Sequence, residues 1–160
     1  MNKIEHEARH QQISLNSLSN QIFKNYIDWD MLSPKAGMIP VAKRVISELF
    51  GRLSKEEVAK LAQEVGKDIM NDLILFMKNK IDLNSFLSWL ELWLKKNSSA
   101  GFSHHVEKNN THTCMMRHDL GENWSLYHKT VLELIFKETL NIPVQINITN
   151  STLTFSFEDG

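Results

Sequence analysis

Residues 143–158 read PVQINITNSTLTFSFE. Apolar side chains fall at Val144, Ile146 and Ile148, and again at Leu153, Phe155 and Phe157. Strict alternation marks a strand, because successive side chains point to opposite faces of a sheet. Asn150-Ser151 supplies the turn between the two runs. Upstream, Trp124, Tyr127, Val131, Leu134, Ile135 and Phe136 follow a helical spacing, and Pro143 lies past its end. Further upstream, Phe102 to Lys108 and Thr111 to His118 read as two strands around Asn109-Asn110, a good hairpin pair. The order strand-strand-helix-strand-strand predicts a four-stranded antiparallel sheet covered on one face by one helix.

The residues before Phe102 read as helical. Leu15, Leu18, Ile22, Phe23, Tyr26, Ile27 and Trp29 carry mostly three- and four-residue spacings. Ser14 or Asn16 can cap that helix, and residues 2–12 form a short polar helix ahead of it. Residues 30–39 are a connector with Ser33-Pro34 and Gly37. Pro40 suits a first helical position, and Val41, Val45, Ile46, Leu49, Phe50 and Leu53 follow. Gly51 lies near that helix's end, and Ser54 with Glu57 makes a capping box for the next helix. Gly66 is expected to stop it. Asp68 to Met77 is a further helical segment. Asp82 or Asn84 opens the last one, which carries Phe86, Leu87, Trp89, Leu90, Leu92, Trp93 and Leu94 almost all round. Such a helix is central or packs on a partner. Residues 97–101 read as the clearest linker. The expected class is α+β: an arm over 1–30, a helical region over 31–97, and a ββαββ region over 102–157 packed on the helices as one composite domain.

With 160 residues and 42% hydrophobic composition, the chain can bury a core without staples. Its 18 Lys+Arg against 19 Asp+Glu exclude a polybasic or acidic disordered chain. Residues 31–60 hold six bases against three acids, a modest basic segment. Lys35, Lys43, Arg44, Arg52 and Lys55 are its candidate phosphate contacts. The single Cys114 excludes an intrachain disulfide and suits a reducing, cytoplasmic setting. No apolar run approaches the roughly 18 residues of a membrane span, and the start shows no apolar signal-peptide core.

Four of the seven histidines crowd one hairpin with Cys114. Imidazole, carboxylate and thiolate are all ligands for a divalent transition metal. A two-residue turn would put position 105 opposite 114, so that His105, Glu107, His112 and Cys114 share a face. A three-residue turn would put 104 opposite 114, so that His104, His112, Cys114 and His118 share the other. Cys114 is also a redox-sensing candidate if a protonated histidine activates it. Residues 118–125, HDLGENWS, hold the residue types of a hydrolytic triad. No G-x-S-x-G elbow accompanies them. A structural role fits instead: Asp119 closes the turn, Gly121 takes a positive φ, Asn123 caps the helix and Trp124 plugs the helix–sheet interface. No phosphate-cradling glycine loop occurs.

Ile13 to Ile22, followed by Tyr26-Ile27-Asp28-Trp29, resembles the second helix of a ribbon-helix-helix DNA-binding unit. Arg117 to Tyr127, leading through a helix to two strands, resembles the C-terminal part of archaeal transcription-regulator-like proteins that carry such a helix pair before an α+β domain. That resemblance implies a homodimeric regulatory domain. The strand that would enter the major groove has no counterpart in residues 2–12. The helices-then-ββαββ arrangement is also similar to heme nitric-oxide-binding and vinyl-reductase-like domains, with no heme ligand carried over. The sequence thus points to a non-enzymatic regulatory or interaction domain, self-associating and open to a protein or small-molecule ligand. Leu18, Ile22, Tyr26, Trp29, Trp89 and Trp93 are its expected dimer or partner contacts. DNA binding through the 35–60 segment and metal or redox sensing by the hairpin are the alternatives.

Overall fold

The computed structural model describes residues 3–97, 101–107 and 110–159, with side chains at 95–97 left aside. The expected linker and Asn109 of the hairpin turn fall wholly or partly outside these residues. The chain divides into two compact units, Met1–Pro40 and Val41–Gly160.

The first unit pairs two helices, α1 (Lys3–His10) and α2 (Leu15–Asn25). Ser14 caps α2, its hydroxyl accepting from the Ser17 N–H at 3.0 Å. The helix then widens into a π-helical turn, Tyr26–Asp30. Ala8, Leu18 and Trp29 are its buried apolar side chains among the described residues.

The second unit opens with α3 (Lys43–Gly51). Pro40 does not start it. Residues up to Ala42 stay extended, and the Ala42 carbonyl accepts the opening bonds from Val45 and Ile46. The Ser54–Glu57 capping box is present, with both reciprocal bonds, at the start of α4 (Lys55–Leu61). Gly66 does not stop this helix. Its φ of −64° and ψ of −46° are helical, and the chain runs on through a π-turn (Ala62–Gly66) into α5 (Lys67–Lys78). The stop comes at Asn79, in the left-handed conformation with φ 62°. Asp82 then caps α6 (Leu83–Asn97), accepting from the Ser85 N–H at 2.8 Å. The Lys80 ammonium and that N–H hold the Asp82 carboxyl down at about 2.

The remaining elements are β1 (Phe102–Val106), β2 (Thr111–Arg117), α7 (Glu122–Leu134, continued as a π-turn to Leu140), β3 (Val144–Ile148) and β4 (Thr152–Glu158). All strand neighbours are antiparallel, in the order β1-β2-β4-β3. The protein is therefore α+β, with the expected four-stranded sheet. Cys114, Met116, Leu153, Phe155 and Phe157 line its buried face. They pack with Phe86, Trp89, Leu90 and Leu94 of α6 and with Val131, Leu132, Ile135 and Phe136 of α7 and its continuation. Within the ββαββ region α7 covers β3 and β4, and α6 of the preceding helical region reaches β1.

Gly66 is where the long α4–α5 rod crosses α7. A Cβ at this position would run into Cγ2 of Val131 and sit 3.0 Å from the Tyr127 hydroxyl. Val131 is fully buried and cannot swing aside. Alanine ordinarily stabilises a helix interior by about 1 kcal/mol over glycine. Here overpacking, at about 1–3 kcal/mol, outweighs that gain. Gly66→Ala is expected to lower stability in urea unfolding by up to about 2 kcal/mol. Combining it with Val131→Ala is expected to cost less than the sum of the two single changes.

Candidate functional site

The β2–α7 junction holds the residues that resemble a hydrolytic triad. His118 is buried where β2 ends. Its Nδ1 accepts from the Leu120 N–H at 3.2 Å, so the ring proton is on Nε2. Nε2–H then donates to the Ser125 hydroxyl at 2.7 Å, and that hydroxyl donates to the Thr149 carbonyl at 2.7 Å. Every proton in the chain is assigned. The histidine donates to the serine and has no lone pair left to take its proton, so the arrangement is opposite to that of a nucleophile and its base. Burial holds His118 in the neutral form, below its ordinary pKa, against the opposing effect of Asp119. The bonds tie the end of β2 to α7 and to the β3–β4 turn.

Two local expectations change here. Gly121 takes the predicted positive φ, at 91°, and occupies the cap position itself. Asn123 therefore lies inside α7, and its amide donates to the Phe50 and Leu53 carbonyls at 2.8 Å each. These carbonyls lie at and just past the end of α3, where the helical ladder runs out; Asn123 adds a donor to both, beside the Leu53 N–H that reaches the Phe50 carbonyl at 3.2 Å. Asp119 reaches Lys43 at 3.4 Å. Trp124 faces Phe50 edge-on, with ring centroids 5.0 Å apart, on the α3 side rather than the sheet side.

Beside Trp124 lies a second buried histidine. His128 is ringed by Trp124 at 4.2 Å, Tyr127 at 5.1 Å and Trp93 at 5.5 Å. Its Nδ1–H donates to the Trp124 carbonyl at 3.0 Å. Desolvation pushes its pKa down to about 4. Trp89 stacks on Trp93 and is itself buried, its indole N–H without a hydrogen-bond partner. The expected partner contacts Trp89 and Trp93 thus belong to the core of the second unit, as the central position of α6 requires. Leu18 and Trp29 are buried as well, which leaves Ile22 and Tyr26 as the exposed members of that set.

The hairpin adopts the register in which His104 opposes Cys114 and Val106 opposes His112. The two-residue alternative is not formed, so His105 lies on the opposite face, and exposed Glu107 donates its N–H to the Thr111 carbonyl at 2.9 Å. His104 Nε2 and His112 Nδ1 lie 2.9 Å apart, with ring centroids 5.1 Å apart. That combination places the rings edge to edge around one shared proton. One nitrogen donates that proton and the other accepts it, so the two do not converge on a third point about 2 Å away, where a metal would sit. Burial, then the charge on His112, holds His104 below its ordinary pKa. His112 also lies flat on Phe157 at 4.8 Å. Cys114 is fully buried, and burial pushes its thiol up to about 12, far from a ligating or redox-active thiolate. Among the described residues no group of three His, Cys, Asp or Glu is placed to hold a metal ion.

The basic candidates are dispersed. Lys35 belongs to the first unit and the other four to the second. Lys43 is paired with Asp119, and Lys55 with Glu122 at 3.0 Å. Arg44 and Arg52 are exposed.

What the periodicity did not separate is the apolar surface. The stripes along α2, α3 and α4–α5 share one helical spacing, yet many of their members are exposed. Phe23 and Ile27 on the α2 helix, Val45 and Leu49 on α3, and Val65, Ile69 and Phe76 on the rod all face solvent. Soluble chains rarely leave so many large apolar groups uncovered on helix faces. The chain matches no protein-family model and no curated protein.

Two measurements check the histidine and cysteine environments. Unfolded His128 binds a proton near pH 6.5, but the folded ring resists it to about pH 4. Stability is therefore fully present above pH 6.5 and lost as pH falls through that window, by about 3 kcal/mol. His128→Gln is expected to flatten this slope in denaturant titrations run across it. Cys114 is expected to stay unmodified by a thiol reagent in the native state and to react in full once the chain is unfolded.

Proposed function

We propose that this protein is a non-enzymatic regulatory or interaction domain that self-associates through the outer face of α2. The observation that carries the reading is the exposure of Phe23 (65%), Ile27 (57%), Tyr26 (54%) and Ile22 (45%) on one helical face. Three buried side chains are too few to hold a 40-residue unit together unaided. A covering surface supplies what is missing. A second copy fits it: in an antiparallel α2 pair centred near Tyr26, Lys24 of one chain meets Asp28 of the other. The resemblance of Ile13–Trp29 to the second helix of a dimeric ribbon-helix-helix unit supports the same partner. The fully assigned protons of the His118–Ser125 pair support a role other than hydrolysis.

Sedimentation velocity tests the reading. The full chain is expected to sediment as a dimer or larger species at micromolar concentration. Phe23→Glu with Ile27→Glu is expected to weaken association through α2 by more than about tenfold while leaving the far-ultraviolet circular dichroism of the second unit's helices and sheet intact. A wild-type chain that stays monomeric to about 100 μM, a concentration at which even weak specific pairs form, contradicts it.

A further inference from the structure

The second unit carries two unpartnered helix faces of opposite character. On α3, Leu49 (56%) and Val45 are exposed at four-residue spacing and so form one stripe, and Val41, just ahead of the helix, is exposed as well. Arg44 and Arg52 are exposed beside it, against one acid of the helix, Glu48, while Lys43 is paired with Asp119. On the α4–α5 rod, Val65, Ile69 (52%) and Phe76 are exposed with Asp68 and Asp72 among them. The base within this stretch, Lys67, bonds Glu138 at 2.6 Å and lies 4.0 Å from Asp68, so the acidic margin of the rod's apolar stripe is carried mainly by Asp72 and in part by Asp68.

We propose that the α3 stripe of one chain docks on the α4–α5 stripe of a second copy. Apolar stripe meets apolar stripe, and the arginines of α3 meet Asp68 and Asp72. Two rods pairing with each other would instead bring the aspartates of both chains together, and two α3 helices would bring the arginines together. Charge therefore selects the mixed contact over either like-with-like one. The faces belong to different elements from the α2 face, so this contact stands whether or not α2 pairs.

The full chain carrying Phe23→Glu and Ile27→Glu serves as the parent for the test, because α2 pairing is removed from it. A donor variant adds Val45→Glu and Leu49→Glu. An acceptor variant adds Ile69→Lys and Phe76→Lys. All four added changes lie at exposed positions, and thermal unfolding checks that each variant folds. By sedimentation velocity the parent is expected to self-associate. Each variant alone is expected to do so more than about tenfold more weakly. An equal mixture of the two is expected to recover association, because it again contains one intact α3 stripe and one intact rod stripe. A parent that is monomeric at every concentration overturns the proposal. So does a donor variant that still self-associates, which would mean rod-on-rod pairing, or a mixture that stays monomeric when the parent does not.

Discussion

The second unit is organised around α7. This helix has the sheet on one side and the α4–α5 rod on the other, with the end of α3 held against it. A helix enclosed in this way must bury side chains on most of its circumference. It must also satisfy every polar group that it carries inward. Ser125, His128 and Asn123 do this in its N-terminal half, each donating to a backbone carbonyl, and His118 at the end of β2 donates to the Ser125 hydroxyl. Gly66 allows the rod to approach closely enough to close the layer. Once α7 is central, α3 and the rod become outer elements. Each has one face on α7 and another that no element of the second unit covers.

This arrangement commits to internal hydrogen bonds several of the reactive residue types that the sequence concentrates here. A histidine and a serine at hydrogen-bond distance suggest catalysis until the proton positions are assigned. Here the Leu120 amide fixes the tautomer, and the serine proton goes to a carbonyl. The hairpin histidines bond to each other, and the cysteine is sealed under the helices. Cys114, His118 and Ser125 thus belong to the interior, while exposed apolar side chains lie on the outer helix faces.

Much of the fold is legible in the sequence. The alternation in Val144–Ile148 and Leu153–Phe157, the capping box at Ser54 and the left-handed Gly121 each follow from local rules. What is not legible depends on distant partners. Gly66 has the chemistry of a helix stop, and only its closeness to Val131 shows that it is a crossing point. Asn123 has the chemistry of a cap, but the carbonyls it serves belong to α3. The hairpin register depends on the length of one turn, for which two readings were open. The exposed faces were hidden for a more general reason. A helical period of apolar residues shows that a face will be covered, and it does not say by what. The Trp89–Trp93 pair and the Phe23–Ile27 pair carry the same signal. One lies in the core and the other in solvent.

Hydrogen–deuterium exchange on the full wild-type chain at a low and a high protein concentration addresses most directly the central claim that the exposed helix faces are association surfaces. Amides of residues 22–27 are expected to gain protection as concentration rises, with smaller gains over 43–51 and 65–76, while β2 and β4 stay equally protected throughout. Protection at 22–27 that does not change with concentration would contradict self-association through α2.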